Sequence, residues 1–162
     1  MPELIKYCDI AIGNEEDADK VLGIQAPDTD ISSGKLKPEN YRYVVEEIVK
    51  QYPNLKKVAI TLRGSISASY NHWSAILYDG IKIYIGSQYK IKPIVDRVGG
   101  GDSFMGGLIY GLLTYKEDLQ TALNFAIAAS CLKHTIFGDF NLVSIDEVLK
   151  LMRGDTSGRV SR

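Results

Sequence analysis

Three consecutive glycines, Gly99, Gly100 and Gly101, stand directly before Asp102 in the stretch IVDRVGGGDSFMGGLIYGLL, Ile94–Leu113. Each glycine loses roughly 0.5–1 kcal/mol more on ordering than an alanine would. Three in a row imply a tight bend, or a backbone that something must approach. The apolar residues Phe104, Leu108 and Leu112 that follow recur at helical spacing,. A glycine turn that opens a helix points several amide N–H groups at one spot, and the helix dipole adds positive potential there. That is an anion site, most naturally for phosphate. It is not a P-loop: Gly101 and Gly106 have the glycine spacing, but Gly107-Leu108 stands where Lys-Ser/Thr is needed,. Nor is it the dinucleotide fingerprint, because Phe104 occupies the third glycine position counted from Gly99,.

Asp102 is the unusual member of this turn. A carboxylate repels a bound anion unless it has a task. The fitting task is general base: it takes the proton of a hydroxyl attacking a phosphoryl group, while the amides stabilise the transferring charge. The alternative is that Asp102 caps the helix and the glycines allow close packing. Spacing alone leaves both open.

The elements that must position this turn read as follows. CDIAIG (8–13) is a short buried-strand pattern, and NEEDADKVLG (14–23) is a helix with Asn14 as N-cap and Gly23 as its close,. APDTDISSGKLKP (26–38) is a polar loop, and ENYRYVVEEIVKQY (39–52) has helical apolar spacing,. KKVAITLRG (56–64) reads as a buried strand entering a loop at Arg63 and Gly64. SISASYNHWSAILYDG and IKIYIGSQYKI are strand-like and joined by a turn at YDG,. Helices are expected over 102–115 and 119–135, and SIDEVLKLM forms a last one with the capping-box pair Ser144 and Glu147,. Interleaved strands and helices indicate an α/β protein with a largely parallel sheet.

Bulk properties exclude several classes. The 162 residues suffice for about one domain, and 19 Lys+Arg against 20 Asp+Glu argue against nucleic acid or an anionic membrane as partner,. Cys8 and Cys131 are too few for a disulfide scaffold and lack metal-ligand spacing,. No apolar run approaches the roughly 20 residues that span a bilayer, and charges at Glu3, Lys6 and Asp9 break any signal-peptide core,. A cytoplasmic protein is expected. His72 and His134 are isolated and read as packing residues, as does Trp73 on its strand,. The tail RGDTSGRVSR (153–162) is polar, and its RGD reflects tail composition rather than adhesion.

The run DRVGGGDSFMGGL resembles the C-terminal signature of the ribokinase-like (PfkB) carbohydrate kinases, D-T-x-G-A-G-D-x-F-x-x-G. It matches at Asp96, Gly99, Gly101, Asp102, Phe104 and Gly107, with Arg97 in place of Thr and Gly100 in place of Ala. The resemblance implies that Asp102 is the base activating a sugar hydroxyl and that the Gly99–Asp102 amides form the anion hole. DIAIGNEEDADKVLGI is similar to the family's N-x-x-E segment, which implies water-bound Mg²⁺ at Asn14 and Asp17, with Asp replacing the usual Glu. VAITLRGS is similar to the nucleotide-binding T-x-G segment, implying ATP contacts at Thr61, Arg63 and Gly64. LNFAIAASCLKHTIFGDFNL is similar to the adenine-side helix and loop, implying contacts at Ala128 and Cys131. The small residues there, Ala126 to Ser130, suit either a flat purine or tight helix packing. Asp96 and the loop near Gly138 resemble the family's monovalent-cation region, which brings in K⁺.

In flavour the chain is closest to the 2-keto-3-deoxygluconate kinases, then the fructokinases. The implied architecture is a three-layer α/β/α ribokinase-like fold with a β-hairpin region, of which this chain carries the C-terminal half. Residues 1–152 would be the nucleotide-binding and phosphoryl-transfer part and 153–162 a polar tail. The glycine-rich segment and β lid that contact sugar in this family are not visible before MPELIKYCD. Two classes of function follow: an ATP-dependent kinase for a small sugar or sugar acid, or a non-catalytic nucleotide-binding fragment. A half-sheet exposes an unpaired edge, so a homo-oligomer, or pairing with a missing N-terminal half, is expected.

Overall fold

The computed structural model describes residues 1–25 and 41–154. The polar loop expected at 26–38 and most of the tail therefore lie outside the described residues. The chain divides into two compact units, Met1–Lys92 and Pro93–Arg162.

The first unit holds a five-stranded sheet. A four-residue helix not anticipated from the sequence, α1 (Pro2–Ile5), precedes β1 (Ile10–Asn14) and α2 (Glu15–Leu22). Helix α3 (Arg42–Gln51) then leads into β2 (Lys57–Ser67), β3 (Tyr70–Tyr78), β4 (Ile83–Ile85) and β5 (Tyr89–Ile91). Strand β1 pairs β2 in parallel, with Asn14 opposite Thr61. Strand β3 lies antiparallel to β2 on one side, and on the other takes β4 at Ile76–Tyr78 and β5 at Asn71–Trp73. The sheet is thus mixed, and the expectation of a largely parallel one holds only for β1–β2. The reason is connection length. A parallel return needs a crossover of a dozen or more residues, which α2 and α3 supply only between β1 and β2. The two residues Ala68 and Ser69 between β2 and β3 permit only a hairpin.

Arg63 and Gly64 also depart from expectation: they lie within β2, paired with Trp73 and His72, rather than in a loop. The core of this unit alternates along the strands. Val58, Ile60 and Leu62 of β2 and Ile76 and Tyr78 of β3 point one way, onto Val44, Val45 and Ile48 of α3,. The YDG turn forms as read, with Asp79 Oδ1 accepting from Ile81 N at 2.9 Å and Lys82 N at 2.7 Å.

The second unit is helical: α4 (Gly100–Tyr115), α5 (Leu119–Lys133) and α6 (Ile145–Met152). Helix α4 begins at the glycine turn, as expected. Helices α4 and α5 approach so closely that a Cβ on Gly107 would lie 2.9 Å from Ala126 Cα, and one on Gly111 would lie 2.8 Å from Ala122 Cα. The small residues of α5 therefore serve helix packing at Ala122, Ala126 and Ala129. A Gly111→Val substitution presses on backbone that cannot swing aside, and overpacking of this kind costs about 1–3 kcal/mol. Thermal denaturation should show Tm lowered by roughly 3–10 °C for a chain of this length. Gly106→Ala, where a Cβ meets nothing within 4 Å, should leave Tm equal or higher. Equal Tm values for Gly111→Val and the parent would contradict the close packing. Among the described residues no helix is long and apolar enough to cross a membrane.

Candidate active site

Each of the three glycines has its own cause. Gly99 caps α4 in the left-handed region, φ 76°, which L side chains rarely adopt,. A Cβ there would also collide with the carbonyl oxygen of Asp139. Gly100 adopts ordinary backbone angles, but a Cβ on it would stand 3.1 Å from Cε1 of the buried His134 ring. That ring accounts for glycine where the signature has alanine. At Gly101 a Cβ would meet nothing within 4 Å. The third glycine is left open toward its surroundings.

The turn is held from below by the end of α5. Ser130 Oγ donates to Gly100 O at 2.8 Å, and the His134 ring bonds Ser130 O through Nδ1 at 2.7 Å. Because that acceptor is a carbonyl, Nδ1 carries the proton. The His134 carbonyl in turn accepts Val95 N at 2.8 Å and Asp96 N at 3.3 Å. Asp96 spreads its carboxylate over two amides, Oδ1 accepting from Val98 N at 3.0 Å and Oδ2 from Gly138 N at 2.8 Å. These amide bonds hold the Asp96 carboxyl below the usual range, Val98 first, with a smaller contribution from Lys133. His134 is buried as expected of a packing residue. That it, Ser130 and Asp139 lie against the turn is not visible in any local motif, since they are some thirty or more positions away.

The first turn of a helix leaves its amides without intrahelical acceptors. Gly100 N is taken by Arg97 O at 3.2 Å, while Ser103 N starts the helical ladder on Gly99 O at 2.9 Å. The amides of Gly101 and Asp102 lie between these two. Asp102 itself is exposed and does not cap the helix: the N-cap is Gly99, with no side-chain capping bond. Asp102 borders a cleft of about 430 Å³ formed by α4, α5 and the segment around Phe140–Ser144, with Tyr110 and Phe125 along its side. The arrangement can receive an anion on two amides beside an exposed carboxylate.

In the first unit the parallel pair β1–β2 brings Asn14, Asp17 and Thr61 to the carboxyl end of β1, where ligands bind in α/β sheets,. Asn14 and Asp17 form a reciprocal capping box. Asn14 Oδ1 accepts from Glu16 N at 2.7 Å and Asp17 N at 2.9 Å, and Asp17 Oδ2 accepts from Asn14 N at 2.9 Å. Thr61 is buried and its hydroxyl donates to Gly13 O at 3.4 Å. A Cβ on Gly13 would sit 3.2 Å from Asp17 Cβ, so glycine there lets the cap close onto the strand. Glu16 pairs with Lys20 at 2.6 Å, which holds its carboxyl low, and Arg63 adds a smaller pull in the same direction. Arg63 is exposed beside this corner and Gly64 is buried.

The adenine-side residues fare differently. Ala128 is fully buried and presents no surface to a ligand, so the structure gives it a packing place. Cys131 keeps some exposure, and burial pushes its thiol up to about 12. That disfavours the thiolate, the form in which cysteine acts as nucleophile or metal ligand. Among the described residues no group of three or more His, Cys, Asp or Glu side chains could hold a metal directly. Oxygen donors at Asn14 and Asp17 nonetheless suit Mg²⁺ bound through retained waters.

Comparison with known proteins bears on this geometry. The sequence pattern of the pfkB family carbohydrate kinases matches residues 1–142. The chain is 39% identical over 108 residues to a 2-dehydro-3-deoxygalactonokinase of Haloferax volcanii, covering 62% of this chain and 34% of that protein. The crystal structure of a 2-dehydro-3-deoxygluconokinase from Thermotoga maritima superposes with a TM-score of 0.84 at 47% identity, covering 94% of this chain and 44% of that one. A PfkB family carbohydrate kinase from Listeria grayi gives a TM-score of 0.74 at 29% identity, over 93% of this chain and 43% of that one. The chain thus spans less than half the length of each of these relatives.

Proposed function

Because the chain belongs to the pfkB family of carbohydrate kinases and has a ribokinase-like fold, we propose that it is the phosphoryl-transfer part of an ATP-dependent kinase acting on 2-keto-3-deoxygluconate. One observation carries this reading: an exposed carboxylate, Asp102, beside two helix-start amides on a turn whose third glycine faces open space. In the reaction the sugar's primary hydroxyl oxygen forms a bond to the γ-phosphorus of ATP as the bond to the β-bridging oxygen breaks. Asp102 takes the hydroxyl proton, and ADP leaves with the electron pair. The amides of Gly101 and Asp102 hold charge on the transferring group. Mg²⁺, when bound, neutralises phosphate charge, and Asn14 and Asp17 would hold it through its water shell. By resemblance to the family, Thr61, Arg63 and Gly64 of the first unit, and separately Cys131 of the second, are proposed as nucleotide contacts. The choice of sugar rests on the likeness to the two deoxy-sugar-acid kinases, one at 47% and one at 39% identity.

The test is a coupled ADP-release assay on the product of the full open reading frame and on this chain alone, with 2-keto-3-deoxygluconate, its galacto epimer and fructose. The full-length protein should prefer the keto-deoxy acids over fructose by at least about tenfold in kcat/KM, a difference of about 1.4 kcal/mol. A preference for fructose would move the assignment to a fructokinase. If full-length protein binds ADP but turns over none of these sugars, the competing reading of a non-catalytic nucleotide-binding unit takes over.

A further inference from the structure

Lys133, at the end of α5, is completely buried, an unusual place for an ammonium,. Its Nζ donates to Ile136 O at 3.1 Å. A buried cation is costly unless opposite charge or oriented dipoles offset it. Here the offset comes from the loop that braces the catalytic turn. Ile136 supplies the carbonyl, and two residues on Gly138 donates its amide to Asp96 Oδ2 at 2.8 Å. Asp96 feels the ammonium electrostatically, although among the described residues the two make no direct ion pair. The next residue, Asp139, places its carbonyl against Gly99. The Ile136–Asp139 loop thus connects the ammonium, bound at Ile136 O, with Asp96, bound at Gly138 N, and with the turn at Gly99.

Resemblance assigns a monovalent cation, K⁺, to Asp96 and the loop near Gly138. The residues present do not suit one. Ile136 O already accepts the ammonium, and a second cation near Lys133 would be repelled,. We propose that the Lys133 ammonium is a built-in monovalent cation that positions the glycine turn, and that the protein needs no K⁺. The activity arm of this proposal rests on the kinase reading; the stability arms do not.

The test compares thermal denaturation in KCl and in choline chloride at equal ionic strength. The parent chain should give the same Tm in both; a saturable stabilisation by KCl overturns the proposal. Lys133→Ser removes the charge and opens space, and in choline chloride its Tm should fall by roughly 10 °C. KCl should then recover much of that loss. An unchanged Tm in choline chloride, or a loss that KCl does not relieve, makes Lys133 an ordinary packing residue and overturns the proposal. Should Lys133→Ser fail to fold, the parent's response to KCl still decides. In the full-length kinase, turnover should be equal in the two salts. Activity only in KCl overturns the proposal, whereas no turnover in either salt counts against the kinase reading alone, with the Tm comparison left to decide the role of Lys133.

Discussion

Asp102→Asn in the full-length protein is expected to lower kcat by about 10²–10⁴-fold while ATP binds as tightly as before or more so. The substitution keeps the side chain's size and removes its charge. Asp102 does not cap its helix, and it is exposed at the cleft rather than packed. Folding should therefore be nearly indifferent to the change, with Tm within about 2 °C of the parent, as for surface substitutions outside special sites. The hydroxyl becomes acidic only as its bond to phosphorus forms, so a carboxylate need only be in place to accept the proton at that moment. Removing a negative charge beside the proposed phosphate site should also relieve repulsion toward ATP. Steady-state kinetics with 2-keto-3-deoxygluconate, together with ADP calorimetry, separate the two effects. Parent-like turnover by Asp102→Asn would remove Asp102 from the chemistry and leave it a residue of the helix start.

Neighbouring glycines should respond in opposite ways to the same added methyl group. Gly99→Ala forces an L residue into the left-handed region, at roughly 1–2 kcal/mol, and drives its Cβ into the Asp139 carbonyl. The loop must move, so a total loss of about 2–4 kcal/mol and a Tm lower by roughly 5–15 °C are expected. Turnover should fall with it, because the displaced loop also carries Gly138, the partner of Asp96. Gly101→Ala has room for its Cβ and ordinary helical angles, and alanine is favoured over glycine inside a helix by up to about 1 kcal/mol. It should be at least as stable as the parent and still lose ATP affinity and kcat if phosphate approaches the amides there, as proposed, because the methyl group would stand in its way. A Gly101→Ala enzyme with parental kinetics would show that nothing approaches the turn there. A Gly99→Ala protein with parental Tm would contradict the collision with Asp139.

What was legible in the sequence is what neighbouring residues decide among themselves. The N-cap at Asn14, the reciprocal cap Ser144–Glu147, the left-handed close at Gly23 and the Asp79 turn each involve side chains and amides within a few positions. Such bonds form wherever those residue types recur at that spacing, so a pattern suffices to find them. The start of α4 at the glycine turn and the place of Asp102 beside it belong to the same class. Tertiary structure decided everything that depended on residues far along the chain. It showed that Arg63 and Gly64 continue β2, because β3 lies alongside to pair them. It turned the small residues of α5 into a seat for Gly107 and Gly111, which the spacing had left open between purine and packing. It gave the three glycines three separate reasons: Asp139 for the first, His134 for the second and open space for the third. Those partners lie more than thirty positions from the turn. A contact of that kind is set by how α4 and α5 pack, and no periodicity within one segment encodes which distant side chain will arrive there.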